Sequence, residues 1–329
     1  MKINIVAIAK YLPKKNVSSE FLDELSNGIK GRIEKNTGVK SRHHISDQES
    51  VCEMGALALQ KALKKSNLQP KDIDLLLFSG ASFDYPIPHN SVIIKSKITT
   101  DDVDFPCIDI DSTCLSFLNA LDIAHLYLEA NRYKRIAIVC SEVASKALSP
   151  HDEKVFGLFG DAAVAIIIEK SEKKGYNIKY TNFTNYPSGA MFANVPIGGV
   201  INRGLSSDKK DLGYYFKMEG KKLIRLTVKQ LESFVLKMEQ TIQKKVNDFD
   251  YIIAHQTSKY GNEYFTKKYN LNSKQVIETL SFYGNCISAS IPLGLELLIN
   301  SNSNLENKNV LLLGTGAGLS LGAIVLEFS

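Results

Sequence analysis

The sequence predicts an α/β protein made of two similar halves, on three observations. The chain has 329 residues, more than one hydrophobic core usually organises. Three segments of its first half recur, in the same order, in its second. Between them lie stretches such as "SFLNALDIAHLYLEANRY" and "SASIPLGLELLINS", with apolar residues at three- and four-residue steps.

The recurring segments read as buried strands. "KDIDLLLFSGAS" (71–82) matches "NDFDYIIAHQTS" (247–258), and "YKRIAIVCSEVAS" (133–145) matches "NKNVLLLGTGAG" (307–318). "GDAAVAIIIEKS" (160–171) matches "GLSLGAIVLEFS" (318–329). Each is a leucine-rich or β-branched run bounded by polar residues or glycine. The first two segments start 62 residues apart (71 to 133) in one half and 60 (247 to 307) in the other. Strand, helix and strand, twice over, imply helices packed on a mostly parallel sheet in each half. The polar stretch "EKSEKKGYN" (169–177) separates the halves, dividing the chain into 1–172 and 173–329.

Composition excludes several function classes. At 44% hydrophobic and 23% charged residues the chain is an ordinary globular protein rather than a disordered or fibrous one. No apolar run approaches the ~18 residues of a membrane span, so no membrane association is expected. The start, "MKINIVAIAKYLPKK", alternates like a strand and lacks a signal-peptide cleavage site, so it is expected to belong to the mature protein. Five scattered cysteines (52, 107, 114, 140, 286) without CxxC spacing argue for a reducing cytoplasm and against a disulfide framework or zinc site. Six histidines include no HExxH, and the adjacent His43 and His44 point apart, so no metal is expected. The net charge of +5 is spread among interleaved acids, without the dense basic stripe of a nucleic-acid binder.

"DIDSTCLSF" (109–117) places Cys114 at the start of a helical run. A free cysteine is more often inert packing than a nucleophile, so its surroundings decide. Superposing the halves sets "DSTCLSFLNAL" opposite "GNCISASIPLGL", which puts Cys114 and Asn285-Cys286 at matching helix starts and makes Cys286 the near counterpart of Cys114. His255 ends the strand "YIIAH" at the same rim, beyond the carboxyl ends of the strands, where sites in open α/β sheets form.

A helix N-terminus is expected to lower the pKa of Cys114, with Ser112 and Thr113 as turn or capping residues. Asp109 and Asp111 oppose ionisation if they face the sulfur. His255 can be acid, base or hydrogen-bond donor, and Asn285 can offer an uncharged N–H. The trio suits acyl transfer through a thioester and stabilisation of an enolate. A cysteine hydrolase uses the same residue types, with the Asn orienting the His.

Together with "YLPKKNVSS", "NTGVKSRHH", "FGDAAVAIIIE", "AHQTS" and "LLLGTGAGLSLGAIVLEFS", these motifs make nearly the whole chain resemble a condensing enzyme of the β-ketoacyl-acyl carrier protein synthase III type, in the thiolase superfamily. The resemblance implies a five-layered α-β-α-β-α fold, an obligate homodimer and no cofactor. It implies decarboxylative Claisen condensation of a Cys114-bound acyl group with a malonyl thioester on acyl carrier protein. His255 and Asn285 would steady the enolate, and the N–H groups of Cys114 and Ala317 would form the oxyanion hole. Further implied roles are Ile87 reaching the partner subunit's acyl pocket, Ser258 in the pantetheine tunnel, and Arg225, Lys267 and Lys268 docking the carrier protein.

The chain departs from that pattern at the coenzyme A site. It has no tryptophan. Arg32 stands at the stacking tryptophan position, Asn36 at a nearby arginine position and Glu153 at the second stacking arginine, where an acid repels phosphates. Coenzyme A binding is therefore doubtful, and a carrier-borne starter in specialised metabolism is favoured over ordinary fatty-acid initiation. The alternatives are a non-condensing acyltransferase passing the acyl group to an oxygen or nitrogen nucleophile, and one subunit of a heterodimeric ketosynthase. A dinucleotide site at "VLLLGTGAG" is excluded, because a strand and not a helix follows the glycines.

Overall fold

A computed structural model describes residues 2–26, 28–201, 212–302 and 304–329. In chain order the elements that build the site are β1 (Lys2–Tyr11), α1 (Val51–Ser66), β2 (Leu75–Ser79), α2 (Asn90–Ile98), β3 (Cys107–Ile110) and α3 (Ser116–Glu129). There follow β4 (Arg135–Glu142), β5 (Ala162–Ser171), β6 (Tyr176–Asn185), α4 (Gly220–Ile242), β7 (Tyr251–Ala254) and α5 (Lys259–Lys268). The chain closes with α6 (Ser290–Ser301), β8 (Asn309–Gly316) and β9 (Ser320–Phe328).

The nine strands run in the order β7-β8-β9-β6-β1-β5-β4-β2-β3. Strands β1 and β6 meet at one residue pair, Ile3 and Tyr176, so the sheet is two sheets hinged at that pair. The three segments that recur in sequence are β2 and β7, β4 and β8, and β5 and β9, with matching neighbours in each sheet. Pairing is mixed, which corrects the mostly parallel expectation. β2 pairs in parallel with β3 and β4, and β7 with β8, whereas β1, β5, β6 and β9 all pair antiparallel. At β8–β9 the reason is connection length, since three residues join these antiparallel neighbours. A parallel crossover needs a dozen or more. Within the polar stretch 169–177, residues 172–175 link β5 of one sheet to β6 of the other, with β1 between the two strands.

Strand alternation sends side chains into three apolar layers. Leu75, Leu77, Ile136 and Ile138 of the first sheet and Ile253, Val310, Leu312 and Ile324 of the second face a shared central layer. There α3, through Phe117, Leu121 and Leu128, and α6, through Ile291, Leu295 and Leu298, lie between the sheets. Leu76, Phe78 and Val139 face the opposite way, against Met54, Leu59 and Leu63 of α1 and Ile94 of α2. Leu311, Leu313 and Val325 pack on Phe234, Val235 and Met238 of α4 and Phe265 of α5. The result is helix, sheet, helix, sheet, helix. Each fully buried leucine of the central layer contributes about 2 kcal/mol. Glu296 is the acid on buried α6, and it pairs with Lys10 of β1 at 2.8 Å.

Candidate active site

Both central helices start the same way, from a single turn of 3-10 helix: residues 113–115 before α3 and 287–289 before α6. Each turn opens on a β-branched residue in the left-handed region, Thr113 and Ile287, both at φ 50°. Such residues are rare there, and the same bonds hold both. Asp111 Oδ1 accepts from Thr113 N at 2.8 Å, as Asn285 Oδ1 does from Ile287 N at 2.9 Å. Ser112 N donates to Ser116 Oγ at 2.8 Å, as Cys286 N does to Ser290 Oγ at 3.0 Å. Position by position, Asn285 therefore matches Asp111, Cys286 matches Ser112, and the counterpart of Cys114 is Ser288. This corrects the assignment to Cys286, which is fully buried with its thiol on Tyr283 O. The capping bond expected of Ser112 or Thr113 is made by Asp111.

The two turns pack against each other, so Cys114 and Asn285 share one cavity of about 1570 Å³, which His255 and Ala317 also line. The cavity walls beyond them are mainly apolar, with Leu148, Phe159, Phe216 and Leu231. Cys114 is half-buried and deep in the fold. Burial pushes its thiol up to about 12, with Glu142 and Asp111 adding to the shift and the N–H groups of Ala317 and Cys114 opposing it. The expected lowering by the helix start is thus overturned: desolvation and two acids outweigh the N–H groups. Asp109 is not one of those acids, because it accepts from Asn90 N and Ser91 N at the start of α2, at 2.7 and 2.9 Å.

His255 follows β7, anchored by its N–H to Leu313 O at 2.8 Å, and is 5% exposed. Neither ring nitrogen has a hydrogen-bond partner among the described residues. Burial alone holds the imidazole down to about 4, so it is neutral at pH 7. Asn285 is held by its N–H on Leu158 O at 2.9 Å and by Gly160 N on its carbonyl at 3.1 Å. Its Oδ1 is engaged by Ile287 N, which leaves the Nδ2 amide for the cavity.

Ala317 sits on the three-residue turn between β8 and β9, flanked by Gly316 and by Gly318 at φ 113°, a conformation that favours glycine. Ser258 lines the cavity, and its hydroxyl caps α5 by accepting from Gly261 N at 3.1 Å. Arg225 is exposed on α4, and Lys267 and Lys268 on α5. None of the three lines the cavity, although both helices do so through Leu223, Ile224, Tyr260 and Tyr264. Lys268 pairs with Glu232 at 3.1 Å, bridging the two helices. Ile87 is 86% exposed between β2 and α2 and lies outside this chain's cavity, whereas Phe83 of the same loop lines it. Arg32 is exposed and Asn36 lines the cavity, while the side chain of Glu153 lies outside the described residues. Among the described residues no group of three His, Cys, Asp or Glu side chains could hold a metal, and no helix is long and apolar enough to cross a membrane. The reading of the sequence missed Glu142, whose signal is an acid ending the otherwise apolar run "IAIVCSE".

The model of the 3-oxoacyl-[acyl-carrier-protein] synthase III family matches residues 108–187, and that of the family's C-terminal part matches residues 240–328. The β-ketoacyl-[acyl-carrier-protein] synthase III of Clostridium acetobutylicum is 30% identical over 332 residues, covering 99% of both chains. The chain belongs to the 3-oxoacyl-[acyl-carrier-protein] synthase III family. The fold agrees. The crystal structure of 3-oxoacyl-[acyl-carrier-protein] synthase III from Aquifex aeolicus superposes with a TM-score of 0.87 at 24% identity, over 99% of each chain. The priming β-ketosynthase of the R1128 polyketide pathway superposes equally well, at 22% identity over 99% of this chain and 96% of that one.

Proposed function

We propose that this synthase III family member joins a Cys114-bound acyl group to a malonyl thioester on acyl carrier protein, with loss of carbon dioxide. The observation that carries the reading is the convergence on one largely apolar cavity of Cys114, the Nδ2 of Asn285 and the two ring nitrogens of His255, which have no partner among the described residues.

In the first step Cys114 Sγ attacks the carbonyl carbon of the starter thioester. The oxyanion accepts from the N–H groups of Cys114 and Ala317. The C–S bond of the starter breaks, and the Cys114 proton leaves with the departing thiol. In the second step the malonyl C–C bond breaks, and its electron pair passes into an enolate. The enolate oxygen accepts from His255 and from Asn285 Nδ2, both neutral donors in a desolvated site. The carbanion carbon then attacks the acyl-cysteine carbonyl, releasing the β-ketoacyl thioester, and Cys114 takes up a proton. A neutral His255 suits this role, since it donates without carrying a charge into the pocket.

Arg225, Lys267 and Lys268 stand on the two helices that border the cavity, where they can meet an acidic carrier protein. Ser258 would border the pantetheine arm. Arg32, Asn36 and Glu153 favour a carrier-borne starter over coenzyme A, and with it a specialised product. A cytoplasmic homodimer fits the outermost position of β3 and the exposed Phe83, Tyr85 and Ile87 on the loop after β2, Ile87 then reaching the partner's acyl pocket. The halves 1–172 and 173–329 supply the nucleophile and the two donors respectively.

The deciding experiment loads the protein with a panel of acyl-coenzyme A and acyl-carrier donors and reads Cys114 by intact mass, then adds malonyl-carrier protein. Acylation followed by carbon dioxide release and a β-ketoacyl product is expected. Acylation without carbon dioxide release would instead favour the non-condensing acyltransferase.

A further inference from the structure

The two turns differ at their fourth position. In the first that position is Cys114, whose thiol meets the cavity. In the second it is Ser288, fully buried, with its hydroxyl donating to Glu142 Oε1. Glu142 is also fully buried at the end of β4. It accepts from Ala81 N and Ser82 N, both at 3.0 Å, and from Ser82 Oγ at 2.6 Å. Four donors therefore satisfy a carboxylate that makes no ion pair among the described residues. The thiol of Cys140 lies 3.0 Å from Ser288 Oγ, and Ser79 O lies 3.4 Å from the same hydroxyl.

A β-branched residue in the left-handed region costs about 1–2 kcal/mol and persists only where its surroundings hold it. For Ile287 those surroundings are Asn285 Oδ1 on one side and the Ser288–Glu142 bond on the other. Asn285 Oδ1 accepts from Ile287 N only while the turn keeps this shape. If it relaxes, the amide is free to rotate and can present its oxygen, which repels an enolate, in place of its N–H.

We propose that Glu142 and Ser288 form a latch that keeps Ile287 left-handed and so aims the Asn285 Nδ2 at the reacting enolate. Both are positioning residues, and the assignment rests on the condensation reading above. The Ser288 side of the latch acts on decarboxylation and not on loading, because Cys114 sits in the other turn with bonds of its own.

The test compares two rates in the same preparations: acylation of Cys114 by intact mass, and carbon dioxide release from malonyl-carrier protein. Ser288→Ala is expected to slow carbon dioxide release about tenfold while acylation stays within about twofold. In an Ile287→Gly background the same substitution is expected to cost less than about threefold, since glycine adopts φ 50° without being held. Ser288→Cys, whose thiol is only a weak donor, carries the same comparison should Ser288→Ala fail to fold. The latch is overturned if Ser288→Ala matches the wild type in both rates, or if both fall in proportion regardless of residue 287. A wild-type chain that loads no donor on Cys114 overturns the condensation reading and the latch together, whereas an active wild type with an unaffected Ser288→Ala overturns the latch alone.

Discussion

Cys114 and Ser288 occupy the same position in two copies of one turn, each one residue after a β-branched residue at φ 50°. One copy leaves its side chain to the cavity, and the other ties its side chain to Glu142. The two halves thus supply two matching supports, and in the proposed reaction one carries the nucleophile and the other the amide donor.

The Cys114 thiol, pushed up to about 12, is expected to react slowly with iodoacetamide at pH 7 and faster with each step up to pH 10. Peptide mass mapping of Cys114 against pH checks this. A plateau reached by pH 8 would contradict the burial of the thiol.

Asn285→Ala is expected to leave acylation of Cys114 within a few-fold of wild type while lowering carbon dioxide release about 10²–10³-fold, the usual cost of one lost oxyanion donor. Equal losses in both steps would show that Asn285 serves the fold and not the enolate.

His255 is held at about 4 in the fold against 6.5 when free. Below pH 6.5 the unfolded chain binds this proton and the folded one does not. Stability is therefore lost as pH falls from 6.5 towards 4, by about 3 kcal/mol for this group over the window. His44 behaves alike, lowered to about 4 mainly by burial, so the comparison must be made against His255→Gln. Denaturant titrations at pH 7 and pH 4.5 should find the variant less acid-sensitive than the wild type. An identical pH slope in both proteins would remove His255 from the list of buried neutral groups.

Gly160→Ala is expected to lose about 3 kcal/mol of stability and to slow carbon dioxide release more than acylation. A Cβ there would lie 2.1 Å from the carbonyl oxygen of Tyr283, and the Gly160 N–H supports Asn285. Thermal unfolding with the two rate measurements checks it.

Reversing charge at Arg225 and Lys267 together is expected to lower kcat/KM for carrier-borne malonate about tenfold at low salt, with the difference shrinking as salt rises. Turnover of a small malonyl thioester should not change. A loss seen equally with the small substrate would place these residues in support of α4 and α5.

The repeat of three strand segments, the helical stretches between them, and the placement of Cys114, His255 and Asn285 at one rim were all legible from local pattern. Apolar runs and their order are properties of the chain itself, and strand ends must lie along an edge. Tertiary structure alone decided three further things. The sheets are mixed, and at β8–β9 the three-residue connection forbids a crossover. The thiol pKa rises because burial and Glu142, a residue 28 positions along the chain from Cys114, outweigh two N–H groups. And the partner of Cys114 across the duplication is Ser288, because register is set by hydrogen bonds that sequence similarity between "DSTCLSF" and "GNCISAS" does not show. The Glu142–Ser288 bond joins residues 146 positions apart. No local pattern encodes such a contact; it exists only once the two halves have packed face to face.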